Sequence, residues 1–278
     1  MTDGPADGTP QVAVLGGGVM GEALLSALLT AGWAPGQVEV TEHSTARADE
    51  LAGRYGVRTG ASNVDAAARA DVVLVAVKPN VVGSVLDEVA TVLRGGEVVV
   101  SVAAGLPLAF YEQRLPAGTP VVRVMPNTPA VVGKGASAIA GGAHTTEGHL
   151  ALVERMLAAT GLVVRVAEKD LDAVTAISGS GPAYAFYLVD AMAEAGVLLG
   201  LTRDLATRLA VATVEGAAAL AAQSGDHPVV LRERVSSPGG TTVAAVAELD
   251  AHGVRAGVVA AARAAAERSR ELGAQYAG

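Results

Sequence analysis

Cysteine is absent from the 278-residue chain. That removes disulfides, thiolate nucleophiles and cysteine-bound zinc together, and is compatible with a reducing compartment. Aromatic residues are scarce, with two Phe, one Trp and five Tyr. Ala, Val and Leu must therefore pack the core, which favours close-packed helices and buried parallel strands. Positive charge is also short. A formal net charge of −8 leaves no electrostatic footprint for nucleic acid, whose phosphates must be neutralised by Lys and Arg. The opening MTDGPADGTPQ is acidic without an apolar core, unlike a secretory signal. Uninterrupted apolar runs stay well below the ~20 residues of a membrane span. A soluble, cytoplasmic protein with no membrane partner is expected. The five histidines (His43, His144, His149, His227 and His252) form no i, i+4 pair and join no carboxylate cluster, so no metal site is expected. No G-x-S-x-G elbow occurs either. An enzyme with this inventory must take its chemistry from a cofactor.

What is present is alternation. Residues 1–10 read as a flexible tail. From Gln11, apolar runs at QVAVL, VEVTE, DVVLVAV, EVVVSV and PVVRVM alternate with helix-like segments such as ARADELAGRY and VVGSVLDEVATVL. This is the pattern of a parallel sheet covered by helices on both faces. After about Val166 the strands stop. Segments of helical period follow over residues 182–200, 203–223, 241–249 and 254–272. The expectation is an α/β Rossmann-type dinucleotide-binding domain over 11–166 and an all-α domain over 167–278.

GGGVMG supplies Gly16-x-Gly18-x-x-Gly21 between an expected strand and an expected helix. Such glycines permit a tight turn, close approach of a pyrophosphate and close helix packing. A purely structural turn is the competing reading. Glu42, at the end of VEVTE, stands where an acidic residue binds the ribose hydroxyls of NAD(H). His43, Ser44 and Arg47 follow at once and could instead receive the 2′-phosphate of NADP(H). Two further loops, Ala76-Val77-Lys78-Pro79 and Ser101 to Gly105 with Ala103 and Ala104, follow expected strands and should face the same crevice.

A second cluster, SSPGGTT, precedes the helical run TTVAAVAEL. Pro238, Gly239 and Gly240 make a turn, and Thr241 or Thr242 opens the helix, exposing N–H groups and hydroxyls suited to a small carboxylate. A threonine N-cap on an ordinary turn is the alternative. SGSGPAY reads as a sharp helix start, with Ser180 as cap and Pro182 in the first turn.

Three segments, VVRVMPNTPAVVGKGASAIA, LDAVTAISGSGPAYAFYLVDAMAEAGVLLGL and VSSPGGTTVAAVAELDAHGVRAGV, together with LGGGVMGEALLSALL and AVKPN, resemble the pyrroline-5-carboxylate reductase family over nearly the whole chain. The resemblance implies cofactor contacts at Leu15, Gly16, Gly18, Val19, Met20, Ala76 to Pro79, Ala103 and Ala104. It adds Asn63 near the adenosine and Asn127 near the nicotinamide. It implies a substrate loop at Ser237, Gly240, Thr241 and Thr242, in which Thr242 also reaches the ring nitrogen and takes the catalytic role. The implied reaction is reduction of (S)-1-pyrroline-5-carboxylate to L-proline. NADPH is the expected donor with NADH possible, since Glu42 and His43 replace the uncharged residue and arginine frequent in the family. A homodimer is expected, with a decamer as the larger assembly and Arg234 near a neighbour's cofactor. Two other readings compete. A 3-hydroxyacid dehydrogenase should show a catalytic lysine early in the helical domain, where only Lys169 stands. A non-catalytic NAD(P)-binding protein would have no need of the second turn.

Overall fold

The computed structural model describes Thr9 to Gln275; most of the expected tail, Met1 to Gly8, lies outside the described residues. One compact unit runs to Gly179 and takes the chain back from Ala265, and the other is Ser180–Ala264.

The first unit is built on eight strands, β1 Val12–Leu15, β2 Val38–Thr41, β3 Arg58–Gly60, β4 Val72–Val75, β5 Val98–Ser101, β6 Val121–Met125, β7 Gly135–Gly141 and β8 Gly161–Arg165. Their order is β3-β2-β1-β4-β5-β6-β7-β8. All neighbours are parallel except β6 and β7, which pair antiparallel, so the all-parallel expectation is corrected at that edge. The five expected strands are β1, β2, β4, β5 and β6.

Helices cover both faces, and strand alternation decides which residue meets which. Val12 and Val14 of β1, with Val72 and Leu74 of β4, pack on Leu24, Leu25 and Leu28 of α1 (Val19–Thr30) and Leu51 of α2 (Thr45–Tyr55). Val153, Met156 and Leu157 of a later helix (Glu147–Leu157) join the same face. Ala13 and Leu15, with Val73 and Val75, pack on the other face. There they meet Ala66 and Ala67 of α3 (Asn63–Ala67), Val82, Val85, Leu86 and Val89 of α4 (Pro79–Val89), and Phe110 and Tyr111 of α5 (Leu108–Glu112). Each fully buried Val or Leu contributes about 1.5 to 3 kcal/mol. The sheet is thus fixed by aliphatic side chains, as the scarcity of aromatics requires.

The helix Glu147–Leu157 is α6, and α7 spans Leu171–Val174, followed by a π-turn over Thr175–Gly179. The second unit holds α8 (Gly181–Leu198), α9 (Arg203–Ser224), α10 (Pro228–Arg234), α11 (Thr241–Ala251) and the start of α12 (Val254–Ala274). Across α8 to α11 the buried residues are Ala193, Ala206 and Ala210. Large apolar side chains stand exposed instead, among them Phe186, Tyr187, Leu198 and Leu199, each at least 66% accessible. By length and composition α9, 22 residues long with an 18-residue window of mean hydropathy 1.4, could cross a membrane. Its unbroken apolar runs are short, because Arg208 and Glu215 interrupt the helix, while its many alanines keep the average high.

Candidate active site

The strand order reverses between β1 and β4, and at that point the carboxyl ends of β1, β2 and β4 open a crevice. Gly16 turns the chain after β1 with φ +106°, a region open to glycine. Its N–H donates to the Thr41 carbonyl oxygen at 3.1 Å. A Cβ on Gly21 would stand 2.0 Å from the Gly16 carbonyl oxygen, and one on Gly17 would meet Leu51 Cδ1 at 2.7 Å. Gly18 differs: a Cβ there would meet nothing within 4 Å. The protein's own packing explains the other glycines of the cluster and leaves Gly18 unexplained, as suits backbone kept bare for a ligand. Gly18 also caps α1 without a side-chain bond, so the free N–H groups of the first turn and the positive helix end favour an anion.

The cleft beside this turn has a volume of about 410 Å³, within the range of small-molecule sites. It brings together Gly16, Gly18, Glu42, His43, Asn63, Ala76, Val77 and Lys78. Thr41, Ala61, Val81 and Val85 line it without having been singled out. The i, i+4 spacing of Val81 and Val85 was the available signal for a common face on α4. The Glu42 carboxylate accepts the N–H of Gly17 and that of Ser44, each at 3.1 Å. Asn63 is buried; it accepts from the Thr41 hydroxyl at 2.7 Å and donates to Glu88 at 3.2 Å. Arg47 donates to the Gly17 carbonyl oxygen at 3.0 Å and to Glu50 at 2.7 Å, and pairs with Glu22.

Other expected cofactor residues lie outside the cleft lining. Leu15 is fully buried in the core, and its carbonyl accepts the Ala76 N–H at 2.9 Å. Val19 is 71% exposed at the start of α1, while Met20 packs partly against the core. Ser44 caps α2, accepting from the Arg47 N–H, and Pro79 opens α4. Ala103 is buried and Ala104 exposed. Their loop is fastened by Ser101, whose Oγ accepts the Ala103 N–H at 3.3 Å and lies 2.7 Å from the Tyr111 hydroxyl. Burial pushes the Tyr111 phenol up to about 12, so it stays neutral. Asn127 is bonded at both ends of its amide, donating to the Ser178 carbonyl oxygen at 3.0 Å and accepting from Ala136 N–H at 2.8 Å.

In the second unit, the SSPGGTT segment folds as a turn closed by Gly240 N–H to the Ser237 carbonyl oxygen at 2.9 Å, with Gly239 at φ +68°. A Cβ on Gly240 would come 2.9 Å from that same oxygen. The cap of α11 is Gly240, with no side-chain bond, so the threonine-cap alternative is not what forms. The N–H groups at the start of α11, beginning with Thr241 and Thr242, therefore have no capping side chain. Ser180 likewise occupies the cap position of α8 without a capping bond, while Pro182 sits in the first turn. Arg234 pairs with Asp226.

Residues 11–105 match the model of a family described as NADP oxidoreductase, coenzyme F420-dependent. Residues 168–272 match the pyrroline-5-carboxylate reductase dimerisation model. A pyrroline-5-carboxylate reductase of Corynebacterium melassecola is 49% identical over 94% of this chain and 98% of its own length. The chain belongs to the pyrroline-5-carboxylate reductase family. The corresponding enzyme of Mycobacterium tuberculosis H37Rv is 44% identical over 95% of this chain and 97% of its own. The solved reductase of Coxiella burnetii superposes with a TM-score of 0.91 at 36% identity, covering 95% of this chain and 98% of that one. The reductase of Plasmodium falciparum, solved with NADP bound, gives 0.85 at 28% identity, covering 95% and 98%.

Membership explains the chemistry the residues lack. A pyrroline-5-carboxylate reductase is an NAD(P)H-dependent oxidoreductase of proline biosynthesis, and its substrate, a cyclic imine, becomes strongly electrophilic on protonation. No metal and no strong acid is needed for such a carbon to accept hydride. Among the described residues no group of three or more His, Asp or Glu could hold a metal, and the glycine-lined cleft fits a dinucleotide. The helical unit is the family's dimerisation domain, which accounts for its exposed apolar side chains.

Proposed function

We propose that the glycine-lined cleft holds NADPH, with NADH also accepted, and that the SSPGGTT turn holds the substrate. The observation that carries this is Gly18, bare of side chain with nothing of the protein within reach of a Cβ. That backbone and the N-terminus of α1 would hold the pyrophosphate. Glu42, His43, Ser44 and Asn63 face the adenosine half. Ala76 to Pro79 border the phosphates, and Ala103, Ala104 and Asn127 belong to the nicotinamide half. Leu15, Gly16, Val19 and Met20 contribute mainly through backbone and turn geometry.

When bound, the reduced nicotinamide supplies the hydride that adds to the C=N carbon. The chain's own residues bind and align. N–H groups of Gly240, Thr241 and Thr242 hold the carboxylate, Ser237 borders it, and the Thr242 hydroxyl bonds the ring nitrogen. Orientation of the substrate for hydride acceptance and exclusion of water would provide most of the acceleration. We further propose a cytoplasmic enzyme whose dimers assemble into a decamer. The domain break belongs near 166, where the helical segment begins. The test is the initial rate of NADPH and NADH oxidation with pyrroline-5-carboxylate. Turnover forming proline is expected, and a folded, cofactor-binding protein without turnover would overturn the reading.

A further inference from the structure

At the end of β2, where an adenosine ribose would lie, the chain places the carboxylate of Glu42 and, five residues on, the guanidinium of Arg47. A 2′-phosphate is repelled by the first and attracted by the second. Arg47 is not free to serve it. Its Nη1 donates to Glu50 and its Nε to the Gly17 carbonyl oxygen, while Nη2 pairs with Glu22. Glu22 is held in turn by Arg54 at 2.6 Å and by the Tyr55 hydroxyl at 2.9 Å. The Arg47 bond keeps the Glu22 carboxyl below the ordinary carboxylate range, so the pair stays charged at neutral pH. The Glu42 oxygens, oriented by the Gly17 and Ser44 N–H groups, border the cleft as ready acceptors for ribose hydroxyls.

We infer that Glu42, with Arg47 clamped on Glu22 and Glu50, sets cofactor discrimination in this chain and narrows it, so that NADH and NADPH are taken comparably. The inference rests on the reading of the cleft as the dinucleotide site. Specificity is a difference of affinities. Glu42 penalises the phosphate while rewarding the free ribose, and the hydroxyl of Ser44 and the ring of His43 still offer donors that keep NADPH usable. In a wet cleft, a carboxylate beside a phosphate costs about fivefold to tenfold in affinity.

The test is calorimetric binding of NADP+ and NAD+ to the cofactor-free protein at one ionic strength, for wild type, Glu42→Gln and Glu22→Gln. Glu42→Gln removes the charge while keeping an acceptor for the two N–H groups. Wild-type dissociation constants are expected within about tenfold of each other. Glu42→Gln should tighten NADP+ about fivefold or more and leave NAD+ unchanged or weaker. Glu22 is a positioning residue: Glu22→Gln should loosen Arg47 and tighten NADP+ alone, a change of ratio that lost packing would not produce. An unchanged ratio in both variants, or a wild-type preference for NADP+ beyond about a hundredfold, would overturn the inference. Binding of neither nucleotide to the folded wild type would overturn the assignment of the cleft, and the inference with it.

Discussion

Replacing Gly18 by alanine adds a methyl group to open space, whereas the same change at Gly21 drives a Cβ to within 2.0 Å of the Gly16 carbonyl oxygen. Gly18→Ala should therefore leave the melting temperature unchanged and raise the KM for the cofactor about tenfold, the methyl group then standing where the pyrophosphate is proposed to bind. Gly21→Ala should lower the melting temperature markedly. Thermal melts beside cofactor titrations separate the two effects. Thr242 makes a different kind of prediction. Losing one hydrogen bond to a charged ring nitrogen removes about 1.5 to 3 kcal/mol. Thr242→Ala should thus lower kcat/KM about tenfold or more, and an unchanged value would exclude the hydroxyl from the mechanism. That Gly16, Gly18 and Glu42 border one cleft was legible from spacing alone, because a strand-turn-helix places them there. The cofactor roles expected of Leu15 and Asn127 rest on family resemblance alone, since a buried leucine and a doubly bonded amide leave no local pattern.

Between elements, Glu22 links α1 to α2 through Arg47, Arg54 and Tyr55. Its carboxyl is held below the ordinary value of 4.5, first by the Arg47 hydrogen bond. A carboxylate depressed in the folded state contributes stability in full above its unfolded value, and loses it as pH falls through the folded value. Glu22→Gln should therefore have a lower urea midpoint than wild type at neutral pH, a difference that shrinks as pH drops below about 4. A difference constant with pH would mean that packing, not charge, was lost. The elements themselves were unequally readable. Strands β1, β2, β4, β5 and β6 are rich in valine, even where Glu39 in β2 or Arg123 in β6 interrupts the apolar pattern, and announce themselves. Strand β3 is only Arg-Thr-Gly, and β7, Gly-Ala-Ser-Ala-Ile-Ala-Gly, is mostly glycine and alanine, residues of low strand propensity. Both form because neighbouring backbone pairs with them, a tertiary cause invisible in a local window. Strand β8 exposes Leu162 and Val164 at the sheet edge and follows a helix closely, which hid it.

At the scale of the molecule, the two units bury their apolar residues very differently. The sheet unit encloses two aliphatic cores, while α8 to α11 bury three alanines and leave Phe186, Tyr187, Leu198 and Leu199 in the open. A monomer with so much exposed apolar helix would be poorly soluble, and the dimerisation match covers these helices. Light scattering at micromolar concentration should give at least a dimeric mass. Replacing Leu198 and Leu199 together by lysine should lower that mass or the yield of folded protein, and a stable wild-type monomer would contradict the assignment. That apolar excess was apparent in the alanine-rich helical segments, because their faces outran what one small domain could cover.

Direct hydride transfer is the claim on which the rest depends. It is tested by reducing pyrroline-5-carboxylate with NADPH deuterated at both C4 positions and weighing the proline formed. One deuterium per proline is expected, on the former C=N carbon. Proline without deuterium, or no proline from a folded protein that binds the cofactor, would contradict it.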